Sequence, residues 1–287
     1  MIIVKIIGGI GNQMFQYAFY KNLSEKYENV KCDIIGFDRY KLFTGFELEK
    51  KFDIQVKIAN AKEISNVTDI HSTNILTKVK RKFTGKLSTH ILESEFTWDC
   101  IDNNKNLYLD GYWQNESYFG DVHKLKNRFK FKQDLNFENL KLVDSINSCN
   151  SVSMHIRRGD YVDNPVYALC DEFYYKNSIK YLQNQIKDLV LFVFSNDMLW
   201  VRSILLPILD SDLKVFLVEN NNLDSSIDMR LMSLCKINII ANSSFSWWGA
   251  WLNINKEKLV IAPKKWYNDE NQNFKQIQEL PQSWTTI

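Results

Sequence analysis

The chain has 287 residues, 36 Lys and Arg against 34 Asp and Glu, a net charge of +2, and 45% hydrophobic residues. This composition fits a soluble protein with a real core, the length suffices for two domains, and the near-neutral charge argues against nucleic-acid binding by bulk charge. The five cysteines (Cys32, Cys100, Cys149, Cys170, Cys235) are widely spaced without a C-x-x-C pair, which reads as free thiols in a reducing compartment, not a disulfide frame or a zinc site.

The chain starts MIIVKIIGGIGNQ, with no basic segment before the apolar run and no cleavage site after it. Residues 2–7 therefore read as a strand buried on both faces. GGIGNQ is then a turn, and NQMFQYAFYKNLSEKY carries apolar residues at helical spacing. From about 31 to 105 the pattern weakens into short mixed segments that include the basic stretch KVKRKFTGK. YLDGYWQNESYF (108–119) is aromatic and polar together, and a charged, Asn-rich stretch near 120–148 leads out of the first domain.

Beyond residue 150 strands and helices alternate. SVSMHI, LVLFVFS, LKVFLVE, INIIAN and KLVIAP read as strands; DEFYYKNSIKYLQNQI, DMLWVRSILLPIL, SIDMRLMSLCK and SFSWWGAWLN read as helices. That alternation predicts a parallel, doubly wound sheet. The expected fold class is α/β, with two Rossmann-like domains at 1–148 and 149–287. No apolar segment reaches the ~20 residues of a membrane span, and the expected location is cytoplasmic.

Ligands of open parallel sheets bind beyond the carboxyl ends of the strands. Those ends carry GGIGNQ, HIRRGD, SND, VEN and ANSSFS, in that order. In HIRRGD, His155 and Arg157 should project to one side of the strand and Arg158 to the other. An arginine grips phosphate through two parallel N–H bonds and keeps its charge. The second arginine could support the first or pair with Asp160, and an Arg–Asp pair closing the loop is the purely structural alternative.

GGIGNQ lacks the third glycine of the dinucleotide fingerprint, since Met14 stands there, and no Lys-Ser/Thr follows to make a phosphate loop. What remains is a glycine loop, Gly8, Gly9 and Gly11, that lets backbone and Asn12 approach a ligand at a helix start; a tight strand-to-helix turn explains the glycines equally. ANSSFSWW puts Asn242, Ser243, Ser244 and Ser246 at another helix start, where one serine serves as cap. The other hydroxyls and the helix dipole suit an anion. Trp247, Trp248 and Trp251 read as core. Asn196 and Asp197 end a strand, and the carboxylate either accepts from the N–H edge of a guanine or caps the next helix. Asp228 reads as a cap. Asp210-Ser211-Asp212 precedes a strand and so sits at the opposite edge as a surface turn. His71, His90 and His123 show no ligand spacing, so no metal is expected.

Taken in order, GGIGNQMFQYA, HIRRGDY, FSND and IIANSSFSWWGAWL resemble the α-1,2-fucosyltransferases of glycosyltransferase family 11, and GYWQNESYF looks like the family's central segment. The match runs from residue 5 to about 265, with residues 31–105, where acceptor choice would sit, matching poorly. The resemblance implies a GT-B-type fold, GDP-fucose as donor, an inverting transfer to the 2-hydroxyl of a β-galactoside, and no required metal. It also implies that Arg157 holds the β-phosphate, His155 and Asp197 the guanine, and Ser243, Ser244 and Phe245, beside Asn242, further nucleotide contacts. Gly11 and Asn12 would face the donor, the first domain would be the acceptor side, and the second would bind the nucleotide sugar. The expected catalytic residues are Arg157 and Arg158, stabilising charge on the leaving GDP. The general base is unassigned: Asp160 is the nearest carboxylate, but pairing with an arginine would make it a poor base. The rivals are a metal-free transferase using another nucleotide sugar and a non-catalytic glycan- or nucleotide-binding protein.

Lys78, Lys80, Arg81, Lys82 and Lys86 form the basic stretch. It reads as a solvated helix face, with contact to an anionic inner membrane surface, one bearing a lipid-linked acceptor, as the alternative.

Overall fold

Strand β1 (Ile2–Lys5) is a β-branched run that ends in the glycine turn from which helix α1 (Ile10–Lys26) rises. In the computed structural model, residues 1–39, 45–101, 106–219, 221 and 224–287 are described. They form two compact units, Met1–Lys132 and Gln133–Ile287.

The first unit holds β1, β2 (Val30–Asp33), β3 (His90–Leu92) and β4 (Leu107–Asp110) in a parallel sheet of order β2-β1-β4-β3. Ile2 stands opposite both Val30 and Leu107, so β1 is central, which explains its unbroken apolar run. Helix α1 is buried on most of its circumference. Phe19 stacks on Trp113 at 4.1 Å, and Tyr118 meets both rings edge-on. That packing accounts for the mixed character of residues 108–119: their rings are core while their polar groups stay near the surface. Between β2 and β3 the described chain makes short helical turns, including Leu48–Lys51 and Ala61–Ser65, and helix α2 (Ile75–Thr84). Elements of four or five residues are too short to print a period, hence the weak pattern there.

The second unit has helix α3 (Phe137–Asn147), followed by β5 (Asn150–Ile156), α4 (Glu172–Gln183), β6 (Leu189–Ser195) and β7 (Lys214–Val218). Then come α5 (Ser225–Leu234), β8 (Ile237–Ile239), α6 (Ser244–Trp251), β9 (Leu259–Ala262), α7 (Glu270–Gln278) and β10 (Thr285–Thr286). All six strands are parallel, in the order β10-β9-β8-β5-β6-β7. The order reverses between β5 and β8.

One expectation needs correction. The unit boundary falls at 132/133, not 148, because α3 belongs to the second core: Ile146, with Leu142 and Val143, packs with Phe192, Phe194, Leu231 and Met232. The helix expected over 197–209 is present as one continuous helical run whose hydrogen-bond spacing changes along it, an α turn at Met198–Trp200, a π turn at Val201–Leu205 and a 3₁₀ turn at Leu206–Ile208. Pro207 has no N–H to give and its ring crowds the preceding turn. Strand β10, two residues long, carries no readable pattern. Trp247, Trp248 and Trp251 are buried, as expected. Asp210–Asp212 precedes β7 at the amino edge, also as expected. No described helix is long and apolar enough to cross a membrane.

Candidate active site

In a doubly wound sheet the crevice opens where strand order reverses. In the second unit that point brings together the ends of β5 and β8, hence HIRRGD and ANSSFS. Asn220, in VEN at the end of β7, lies outside the described residues.

His155 is the penultimate residue of β5, and its ring lies 5.3 Å from that of Phe245 on α6. Burial, reinforced by the Arg157 charge, pushes its pKa down to about 3, so the imidazole is neutral at pH 7. Its Nδ1 is buried without a hydrogen-bond partner among the described residues, and so is Nε of Arg157. Two such atoms at one strand end are unusual, because a buried polar group left unpaired costs about 1–3 kcal/mol.

The two arginines diverge. Arg157 reaches Asp160 through Nη2 at 2.7 Å and lies over the Tyr161 ring at 5.5 Å. Tyr161 in turn stacks on Tyr167 at 4.4 Å. Arg158 turns the other way: Nε donates to Asp197 Oδ2 at 3.2 Å, and the guanidinium covers the Trp200 ring at 4.5 Å. The Arg158 backbone N–H donates to Asn196 Oδ1 at 2.9 Å. Gly159, next along, has φ +24°, and a Cβ there would stand 2.3 Å from Asn196 Nδ2. Asp160 thus pairs with Arg157, while Arg158 takes Asp197.

That arrangement changes the reading of several expected ligands. Asp197 Oδ2 accepts from Arg158 and Oδ1 from the Trp200 N–H at 3.1 Å, so the residue caps the next helix while each oxygen keeps a further lone pair. Asn242 is buried, and its Nδ2 donates to the carbonyls of Ala168 at 2.6 Å and Trp266 at 2.9 Å, while its Oδ1 accepts from the Cys170 thiol. Asn242 therefore ties loops together. Ser243 is the cap of α6, its Oγ accepting from the Phe245 N–H at 3.3 Å. Ser246 is buried and donates to the carbonyls of Ala241 and Ser243. Ser244, half-buried at the first position of α6, keeps its hydroxyl outside these bonds. Asp228 is not a cap either. Asp224 caps α5 by accepting from the Ser226 N–H, while Asp228 lies within the first turn, accepts from Asn221 Nδ2 at 2.7 Å, and is pushed by burial to a pKa of about 6.

In the first unit, β1 leads to Gly8, whose φ of +93° favours glycine, and then into α1. Gln13 braces this loop by donating to the carbonyls of Gly8 and Gly45, and Gln16 accepts from the Ile7 N–H. Gly11 is buried in the first turn of α1, and Asn12 Oδ1 accepts from Gln114 Nε2 at 2.8 Å. The sequence reading missed a polar network at the same edge. Lys5 Nζ stands 3.0 Å from both oxygens of Asp110, and His90 Nε2 lies 3.2 Å from Oδ2. Burial opposes the Asp110 charge, but His90 and Lys5 outweigh it and hold its pKa below the usual value. Beside it, buried Asp33 accepts from Tyr108 Oη at 2.7 Å and lies 2.7 Å from His71 Nε2. The signal was available: VKCD and LYLD each close an apolar strand with a carboxylate.

Two parallel α/β units, each with polar side chains gathered where its strands end, make a GT-B-type glycosyltransferase. Residues 1–287 match the model of glycosyl transferase family 11, and the chain belongs to that family. It is 38% identical over 296 residues to an alpha-1,2-colitosyltransferase of Escherichia coli, covering 100% of this chain and 99% of that protein. It is 31% identical to the O-antigen biosynthesis glycosyltransferase WbnK of Escherichia coli, covering 92% of this chain and 94% of the relative. Among solved structures, the fucosyltransferase NodZ from Bradyrhizobium superposes with a TM-score of 0.54 at 13% identity, over 86% of this chain and 90% of that one. At that identity the likeness is one of fold.

Proposed function

We propose that the chain transfers L-fucose from GDP-fucose to the 2-hydroxyl of a β-galactoside in O-antigen assembly, with inversion and without a metal. The observation that carries this reading is the pair of buried, unpartnered atoms, His155 Nδ1 and Arg157 Nε, beside the start of α6 at the strand-order reversal. A nucleotide supplies what they lack. Neutral His155 meets the base, Arg157 the β-phosphate, and Ser244 with the first turn of α6 a further phosphate oxygen. Asp197 then serves by holding Arg158.

As the fucose C1–O bond breaks, its electron pair passes to the β-phosphate oxygen and positive charge builds on the sugar ring. Arg157, the Arg158–Asp197 pair and the helix start stabilise the departing diphosphate, a task a metal performs in other transferases. The acceptor oxygen attacks the opposite face of C1 and releases its proton to a base. Asp160 is poorly suited to that role because Arg157 occupies one of its oxygens. The second unit takes the donor, and the first, with the glycine loop, takes the acceptor.

A second reading has its own support in the 38% identity to a colitosyltransferase. Colitose is fucose without one ring hydroxyl, and a site that hydrogen-bonds that hydroxyl discriminates sharply against the deoxy donor. The test is turnover in EDTA with GDP-fucose, GDP-colitose and UDP-galactose, on galactoside acceptors of either anomer, with the linkage of the product determined. Transfer from GDP-fucose to the 2-hydroxyl supports the first reading, and preference for GDP-colitose the second. A requirement for UDP sugar or metal overturns both.

A further inference from the structure

Helix α2 is well built yet covers nothing. Asn74 caps it by accepting from the Leu76 N–H at 2.9 Å, and Gly85, with φ +75°, closes it by donating to the Arg81 carbonyl. None of its residues is buried. At about 100° per residue, Ile75, Val79, Phe83 and Leu76 fall within about a 100° arc of its circumference. They are 75%, 48%, 83% and 77% exposed, respectively.

The opposite side faces the protein. Thr77 and Arg81, one turn apart, are the only partly covered residues of the helix, and Arg81 Nη1 holds Asp69 Oδ1 at 2.8 Å. The apolar arc therefore points outward. Lys78, Lys80 and Lys82 flank it, all exposed and with no ion pair among the described residues. Lys86, by contrast, is tied to the His90 carbonyl and to Glu95.

A merely solvated face would place polar residues outward and the four apolar ones inward; the arrangement is the reverse. We propose that α2 is an interfacial helix that docks on the anionic surface of a lipid bilayer, Leu76 and Phe83 entering the headgroup region while Lys78, Lys80 and Lys82 meet lipid phosphates. The ring of unpaired cations around an apolar row selects lipid over a second copy of the chain, since self-association would stack like charges. This docking is independent of which sugar the enzyme transfers.

The test is co-sedimentation of the full chain with vesicles of phosphatidylcholine alone and of phosphatidylcholine mixed with phosphatidylglycerol, at low and high salt. The wild type should pellet with the mixed vesicles and be released by salt. Leu76→Ser with Phe83→Ser should abolish pelleting, and Lys78→Gln, Lys80→Gln and Lys82→Gln should each weaken it about fivefold. Exposed positions make these variants safe for folding, which a thermal melt verifies. Hydrogen exchange should slow in residues 75–84 only with anionic vesicles. The proposal is overturned if the wild type ignores phosphatidylglycerol content or if the double serine variant still pellets. It is equally overturned if sedimentation velocity finds a dimer that the serine substitutions dissolve, which would assign the face to a second copy.

Discussion

Arg157→Ala separates a nucleotide ligand from a structural ion pair. In the free protein the arginine's only anionic partner among the described residues is Asp160, and both side chains are substantially exposed, so the pair contributes about 0–1 kcal/mol after solvent screening. The substitution also removes the buried Nε that has no partner. The ligand-free melting point should therefore fall by no more than about 2–4 °C in a unit of this size. Binding is another matter. A charge-assisted contact to phosphate contributes about 1.5–3 kcal/mol, and 2 kcal/mol corresponds to roughly a thirtyfold loss in affinity. With GDP at about 100 times the wild-type Kd, the wild type gains about 2.7 kcal/mol; the variant, now at about three times its own Kd, gains about 0.8 kcal/mol. The corresponding melting shifts are roughly 8 °C against 2–3 °C. Arg157→Lys, which keeps the charge but loses the fork, should fall between. Thermal-shift titration with GDP in EDTA, with UDP as control, reads all three. An equal GDP shift in wild type and Arg157→Ala would refute the assignment of this side chain to the phosphate.

Three further outcomes follow from named side chains. His155, at about pKa 3 folded against about 6.5 unfolded, is protonated more readily by the unfolded chain, so its contribution is fully present above about pH 6.5 and is lost as pH falls toward 3. Unfolding free energies from urea titrations should fall about 2 kcal/mol further from pH 7 to pH 5 for wild type than for His155→Gln; parallel pH dependences would show that the histidine is not buried neutral. Asp228 has the opposite sign: its raised pKa of about 6 makes the folded state the better proton binder, so its ionisation destabilises the protein as pH rises through 6. Asp228→Asn keeps an oxygen for Asn221 and should stabilise by about 3 kcal/mol at pH 7.5 but hardly at pH 4, measured by the same urea titrations. Gly159→Ala must displace Asn196 from its bond to the Arg158 N–H, and should lower stability by about 1–2 kcal/mol and weaken GDP binding, read by calorimetry; unchanged GDP affinity would show that the loop does not set the arginines.

The second unit was legible because its strands are long enough to show themselves. LVLFVFS became β6 residue for residue, since a central parallel strand buried on both faces admits little but apolar side chains. The strand order was not legible. Nothing in the sequence says that β8 returns to the far side of β5, yet that crossover brings HIRRGD and ANSSFS together. In the first unit the long helix α1 was readable and the four- and five-residue turns before α2 were not.

Residue type identified the strand-end cluster but could not apportion it. Asp197 and Asn242 have the chemistry to bind a nucleotide, and each is occupied by a neighbour remote in sequence: Arg158 for the one, the carbonyls of Ala168 and Trp266 for the other. What distinguishes a ligand-facing group from a structural one here is a missing bond at the strand-end crevice; a missing bond alone does not suffice, since the indole Nε1 of Trp113, packed among Phe19, Phe96 and Tyr118, also lacks one among the described residues. His155 Nδ1 and Arg157 Nε are buried with that bond missing, whereas Asp197, Asn242, Ser243 and Ser246 all have partners. The same criterion applies to surfaces, where the missing partner is apolar contact. Phe83 and Leu76 stand out from the surface of helix α2, 83% and 77% exposed, and only an environment less polar than water gives that placement a use. Unsatisfied groups, polar in the strand-end crevice and apolar on α2, are therefore the part of this structure that points beyond the chain itself.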